Sequence, residues 1–118
     1  MNLSCHCGNV KISVNEKPET LTSCNCSLCH RYGSLWGYYK PEEVLIKFEK
    51  EKTNFYIWGD KCIESHHCTK CGCLTHYTTT EKVDPPKIGV NFRMADLTEI
   101  QDIRIRKLDG RDTWKFID

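Results

Sequence analysis

Long apolar runs are missing from this sequence. No uninterrupted hydrophobic stretch exceeds a few positions, far short of the roughly 20 residues that a bilayer-crossing helix requires, and no membrane span is expected. The first ten residues, MNLSCHCGNV, lack both the basic start and the apolar centre of an export signal, which points to the cytoplasm. An excess of charge of either sign is missing as well: Lys and Arg total 17, Asp and Glu total 16, and the formal net charge is +1. A chain so balanced has no basic stripe to track a nucleic-acid backbone and no field to hold it on anionic lipid, so neither nucleic acid nor membrane is expected as a partner. Linkers, repeats and low-complexity tracts are also lacking. The 118 residues suit one domain, 1–118, with a modest core.

Cysteine is what the chain has in plenty. There are nine, and eight of them form three tight groups: Cys5 and Cys7; Cys24, Cys26 and Cys29; Cys68, Cys71 and Cys73. Cysteines one or two residues apart seldom reach comfortable disulfide geometry with each other, whereas they chelate a metal readily. The odd total and the missing export signal also argue against a disulfide scaffold. Zinc in a reducing compartment is the reading that this spacing favours, with two ions per chain, because eight clustered thiols exceed the needs of one tetrahedral centre.

Short extended segments separated by turn signals run through the chain. VKISV alternates apolar and polar from Val10 to Val14, WGYY and VLIKF flank the turn KPEE, and FYIW stops at GDK. THYTTT, IGVNF and IRIRKL continue the pattern with β-branched and aromatic residues. Only MADLTEI reads as helical, for about two turns. The expected fold is an all-β, zinc-stabilised sheet domain with short strands and one short helix near the C-terminus. Metal crosslinks would supply part of its stability.

Two of the cysteine groups are followed by glycine, as zinc knuckles often are: CHCG ends at Gly8 and CTKCG at Gly72. Pairing them gives a closed four-thiolate site of Cys5, Cys7, Cys68 and Cys71, which is the structural kind. The remaining group, CNCSLC, offers only three thiolates. Three protein ligands and one exchangeable position is the usual layout of a catalytic zinc. Either that position is open or a distant residue closes it. Cys73, Cys62, His30, His66, His67 and His76 are the candidates for closure, and Cys73, two residues past Cys71, is the foremost.

The segments SCHCGNV, CNCSLCHRYGSLW and HHCTKCGC, in that order and at these separations, resemble the family of glutathione-dependent formaldehyde-activating enzymes, a zinc domain also found in centromere protein V. The later GVNFRM and LDGRDTW fit a subset of that family. The resemblance implies a small all-β fold with a structural zinc on Cys5, Cys7, Cys68 and Cys71 and a catalytic zinc on Cys24, Cys26 and Cys29. It also implies condensation of glutathione, or another small thiol, with formaldehyde or a related small aldehyde, a carbon–sulfur lyase activity. Cys73 departs from the small residue that many members carry there.

For such chemistry His30, Arg31, Tyr38 and Tyr39 are the candidate proton donors. Arg31 and Arg93 are the candidate holders of the two glutathione carboxylates, since a guanidinium pairs with a carboxylate through two parallel hydrogen bonds. Arg31 joins Cys24, Cys26 and Cys29 in the expected catalytic set. Trp36, Tyr38 and Tyr39 are read as cleft or core residues, Asn91 as either a cleft or a solvated surface residue, and at most one of His66 and His67 as facing the metal. The competing reading is a non-catalytic module with two structural zinc sites, made for protein contact. The identity of the fourth ligand at the middle cluster separates the two.

Overall fold

The computed structural model describes all residues 1–118. Ten short strands make up most of its regular structure: β1 (Asn2–Ser4), β2 (Val10–Val14), β3 (Thr20–Cys24), β4 (Trp36–Tyr39), β5 (Val44–Phe48), β6 (Asn54–Ile57), β7 (Ile63–His67), β8 (Leu74–Thr79), β9 (Ile88–Asn91) and β10 (Arg104–Leu108). The segments read as extended from their alternation fall on β2, β4, β5, β6, β8, β9 and β10. The fold class is as expected. No helix is long and apolar enough to cross a membrane.

The helices differ from expectation. MADLTEI does not form a two-turn helix: it divides into the end of a 3₁₀ turn at Phe92–Met94 and a single-turn helix, Leu97–Ile100. A second helix, α1 (Ser27–Tyr32), sits inside the middle cysteine group. Its start is fixed by Cys26, whose sulfur accepts the Cys29 N–H at 3.3 Å, and its end by Gly33 in the left-handed conformation. No residue of α1 is buried, so the apolar periodicity that betrays a helix in sequence is missing. Cysteine is not among the usual N-capping residues either. The single-turn helix near the C-terminus is α2.

The strands form two sheets. β1, β2 and β5 make a small antiparallel one, and β10-β3-β4-β9-β8-β7-β6 make a seven-stranded one. Apolar side chains of β1 and β2 (Leu3, Val10, Ile12, Val14) meet Leu21, Ile88, Val90 and Phe92 in one core cluster. Burying these side chains is the main source of stability. A smaller apolar cluster, Trp36 with Leu74 and Tyr77, has Cys29 and Tyr32 packed against it. Along β4, residues two apart share a face of the sheet. Trp36 and Tyr38 line the same chamber beside the middle cysteines, while Tyr39 joins the main core.

Two features of the topology position the cysteines. The turn between β1 and β2 carries Cys5 and Cys7, and the turn between β7 and β8 carries Cys68 and Cys71, so the first group joins the small sheet to the large one. β10 runs parallel to β3 with Leu108 opposite Cys24. The 109–111 turn that follows is thereby placed over the middle group, where Arg111 N–H donates to Asn25 Oδ1 at 2.9 Å.

Candidate metal centres

In the first group Cys5 Sγ lies 3.7 Å from Cys7 Sγ, which is 3.6 Å from Cys68 Sγ. All four sulfurs, Cys71 included, lie within 4.8 Å of one another. Zinc–sulfur bonds of about 2.3 Å in a tetrahedron hold sulfurs about 3.8 Å apart, whereas a disulfide would bring them to about 2 Å. The donor set therefore fits a closed four-thiolate zinc site. Each half is a tight turn: Gly8 N–H donates to Cys5 O at 3.2 Å and Gly72 N–H to Cys68 O at 2.9 Å, with both glycines at positive φ, +84° and +78°. Those turns aim amides at the sulfurs, Val10 N–H at Cys5 (3.2 Å) and Lys70 N–H at Cys68 (3.4 Å). Burial pushes the Cys71 thiol up, but the N–H groups of Cys73 and Cys7 and the neighbouring thiols outweigh it and bring it down to about 5. A turn that stabilises thiolate without a cation is prepared for one.

Asn9, which sequence reasoning passed over, ties this centre to the 50–51 segment. It is buried, its Oδ1 accepts from the N–H of Lys50 (2.9 Å) and Glu51 (3.1 Å), and its Nδ2 donates to Glu51 O (2.9 Å) and to Cys68 Sγ (3.7 Å).

The middle group has three members. Cys24 ends β3, Cys26 caps α1 and Cys29 lies one turn into the helix, and their sulfurs fall within 4.8 Å of one another. Cys26 N–H points at Cys24 Sγ at 3.5 Å, and the indole N–H of Trp36 donates to Cys29 Sγ at 3.4 Å. The three thiols differ in how readily they ionise. Burial opposes ionisation, but the Cys29 N–H and the adjacent thiols hold Cys26 below the usual thiol range, while burial pushes Cys29 up to about 12. Three converging soft donors with amide support fit zinc with one position left over.

None of the candidates for closure joins this trio. Cys73 stands at the other centre: it packs against the main core and shares a surface groove with Cys5 and His6. Gly72, at positive φ, breaks the extended run between Cys71 and Cys73, and the Cys73 sulfur is not among the four that converge there. Cys62 lines the chamber next to the trio without belonging to it. His66 is engaged by Thr53 Oγ1 (2.8 Å) and Thr78 Oγ1 (3.0 Å), His76 by Thr75 Oγ1 (2.8 Å), and His67 by the hydroxyl of Tyr32 (3.0 Å). His30 is exposed on the surface of α1.

Two chambers meet at the trio, and Cys24 and Cys29 line both. One, of about 280 Å³, is bordered by His30, Arg93 and Lys107 and by no carboxylate. Arg93 spends its Nε–H on Gly33 O (2.9 Å), and neither Arg93 nor Lys107 is ion-paired. Ser34, buried beside them, has a hydroxyl with no partner. The other, of about 710 Å³, is lined by Tyr32, Trp36, Tyr38, Trp58, Tyr77 and Trp114 among mostly apolar neighbours. Burial raises the hydroxyls of Tyr32 and Tyr38 above the usual phenol value, so both keep their protons at neutral pH.

The remaining expected site residues divide. Arg31 borders neither chamber: its Nη1 turns back to Ser27 O (2.8 Å) on its own helix. Tyr39 donates to Glu16 O (2.8 Å), away from the trio. Asn91 is structural, its Oδ1 accepting from Leu35 and Arg93 N–H and its Nδ2 donating to Leu74 O. Of His66 and His67, only His67 reaches α1. Lys107, the Tyr32–His67 pair, Trp58 and Trp114 were missed. Lys107 and Trp114 are distant in sequence from every cysteine group, and only the pairing of β10 with β3 brings them in.

Comparison with known proteins follows the same lines. A family model described as glutathione-dependent formaldehyde-activating enzyme matches residues 1–105. A crystal structure of a Rhodobacter sphaeroides protein superposes with a TM-score of 0.71 at 23% identity, covering 89% of this chain and 99% of that one, which shows a shared fold. No curated protein sequence matches the chain.

Proposed function

The chain belongs to the glutathione-dependent formaldehyde-activating enzyme family, and from that premise we propose that the middle cysteines hold a catalytic zinc at which a small thiol, glutathione or a relative, is added to a small aldehyde. The observation that carries this reading is the convergence of Cys24, Cys26 and Cys29 within 4.8 Å, with no fourth protein ligand in the group, at a wall shared by two chambers. The first group, Cys5, Cys7, Cys68 and Cys71, holds a structural zinc in the same reading, which makes two per chain. A cytoplasmic, reducing setting suits nine free thiols.

A zinc bound at the trio would supply the positive charge that favours the thiolate form of an incoming thiol. The protein's own groups do the rest. Trp36 and the amide of Cys29 keep two of the three sulfurs in place. Arg93 and Lys107, cations without acidic partners, bind the carboxylates of the thiol substrate in the smaller chamber. The hydroxyl of Tyr32, oriented by His67, stands in the larger chamber to donate a hydrogen bond to the aldehyde oxygen. In the reaction the thiol sulfur bonds to the carbonyl carbon, the C=O bond becomes a C–O single bond, and the proton lost by the thiol ends on that oxygen. Nothing is oxidised or reduced.

The test is exchange NMR of glutathione with formaldehyde on zinc-loaded protein. Acceleration of hemithioacetal formation that disappears in Cys26→Ser, while that variant keeps its fold, supports the reading. A rate equal to the uncatalysed one in the loaded protein overturns it.

A further inference from the structure

The larger chamber does not match a one-carbon aldehyde. Formaldehyde has two heavy atoms, and a space of about 710 Å³ is in the range that holds whole drug-sized ligands. Its walls carry six aromatic rings, and three of them stand well out of the core at its edge: Tyr38 is 47% exposed, Trp58 49% and Trp114 73%. Large aromatic surfaces left in water around a concave site mark a place where an apolar ligand is received. Trp114 is not loosely placed. Its backbone is held in the left-handed region (φ +60°), which is costly for a bulky residue. Hydrogen bonds of its loop keep it there: Trp114 N–H to Asp109 O at 2.7 Å and Thr113 Oγ1 to Asp109 Oδ2 at 2.9 Å.

Charge divides the two chambers further. The smaller has cations and no carboxylate, whereas the larger has one of each sign, Asp60 and Arg111. An anionic thiol is complementary to the first chamber, and a neutral apolar molecule to the second. We propose that the larger chamber is the binding site of a neutral aromatic aldehyde of one or two rings, stacked between Trp58 and Trp114 with its carbonyl carbon turned toward the cysteine trio. This rests on the thiol–aldehyde reading above and names its aldehyde class. The bonds formed and broken are those already given, with an aryl group in place of one hydrogen of formaldehyde.

Two measurements on the zinc-loaded full chain test it. In the first, 2-naphthalenemethanol, which has the ring system but cannot react, is titrated while the indole N–H resonances are followed. Trp58 and Trp114 signals should shift with saturation, and Trp58→Ala and Trp114→Ala should each weaken binding about 10-fold. In the second, exchange rates with glutathione are compared for 2-naphthaldehyde and formaldehyde. The kcat/KM ratio should favour the naphthaldehyde by about 100-fold, as burial of a ring predicts, and should fall about 10-fold in either variant. Turnover of formaldehyde with none of naphthaldehyde, or a ratio indifferent to both substitutions, overturns the aromatic assignment and leaves the addition chemistry standing. Turnover of no aldehyde at all overturns both, whatever the indole signals do.

Discussion

The indole N–H of Trp36 donates to the sulfur of Cys29 across 3.4 Å, and this bond ties helix α1 of the three-cysteine group to the large sheet. Trp36 is buried and meets Tyr77 edge-to-face, ring centroids 4.9 Å apart. A ring locked by packing thus holds the one cysteine of the trio that lies within a helix.

Trp36→Phe keeps the packing and removes the donor. Hydrogen bonds to metal-bound ligands typically matter about 10-fold for affinity, so zinc at the middle group should be released to a chelator about 10-fold more readily. The first group should hold its ion unchanged. Competition with a chromogenic chelator, resolving two release phases, reads both.

The two cysteine groups should differ in what their loss does. Cys5, Cys7, Cys68 and Cys71 bind the small sheet to the large one, so Cys68→Ser, or stripping metal with a strong chelator, should lower the melting temperature by roughly 10 °C or more. Cys26→Ser should cost only a few degrees, because Cys26 and Cys29 lie within six residues of Cys24 and cross-brace no distant elements. Metal analysis of the two variants should show which ion is missing in each.

Gly110 lies where a β-carbon would overlap Cys24 Sγ. In the metal-free protein the cysteine side chain can rotate away, so Gly110→Ala should melt within a few degrees of the parent. A metal-bound thiolate has no such freedom, and the variant should bind zinc at the middle group at least about 10-fold more weakly. Equal zinc affinity in parent and variant would show that the 109–111 turn yields easily.

His76 is 2% exposed, stacks on His66 with ring centroids 4.4 Å apart, and is held neutral, its pKa brought down to about 3 by burial and then by the nearby His66. Its ordinary value is about 6.5. Between those values the unfolded chain binds a proton that the folded one refuses, so this contribution is complete above about pH 6.5 and is lost as the pH falls. From pH 7 to 5.5 the parent should lose about 1 kcal/mol more stability than His76→Gln. Denaturation of both proteins across that range measures the difference, with acid effects on the cysteines common to the two.

Much of the fold could be read from the chain, since alternation along Val10–Val14 and the β-branched runs of β8, β9 and β10 depend on which face of a strand is buried. Helix α1 could not: it buries no apolar face, and a cysteine caps it. The glycine after each knuckle pointed to the four-cysteine cluster, because a tight turn needs positive φ at Gly8 and Gly72 whatever surrounds them. Whether Cys73 joins a cluster could not be read from the chain, because positive φ at Gly72 breaks the extended run between positions 71 and 73.

Local chemistry is thus legible along the chain: which cysteines share a turn, which segments extend, and that the middle group carries only three thiols of its own. Tertiary structure decided what lies across from them. The parallel pairing of β10 with β3 brings Lys107, Gly110 and Trp114 to cysteines some 80 residues earlier. Arg93, not Arg31, borders the smaller chamber beside the trio, because one guanidinium reaches the Gly33 carbonyl and the other folds back along its own helix. Neither result follows from spacing along the chain, because strand pairing and the burial that drives it depend on contacts between residues far apart in sequence.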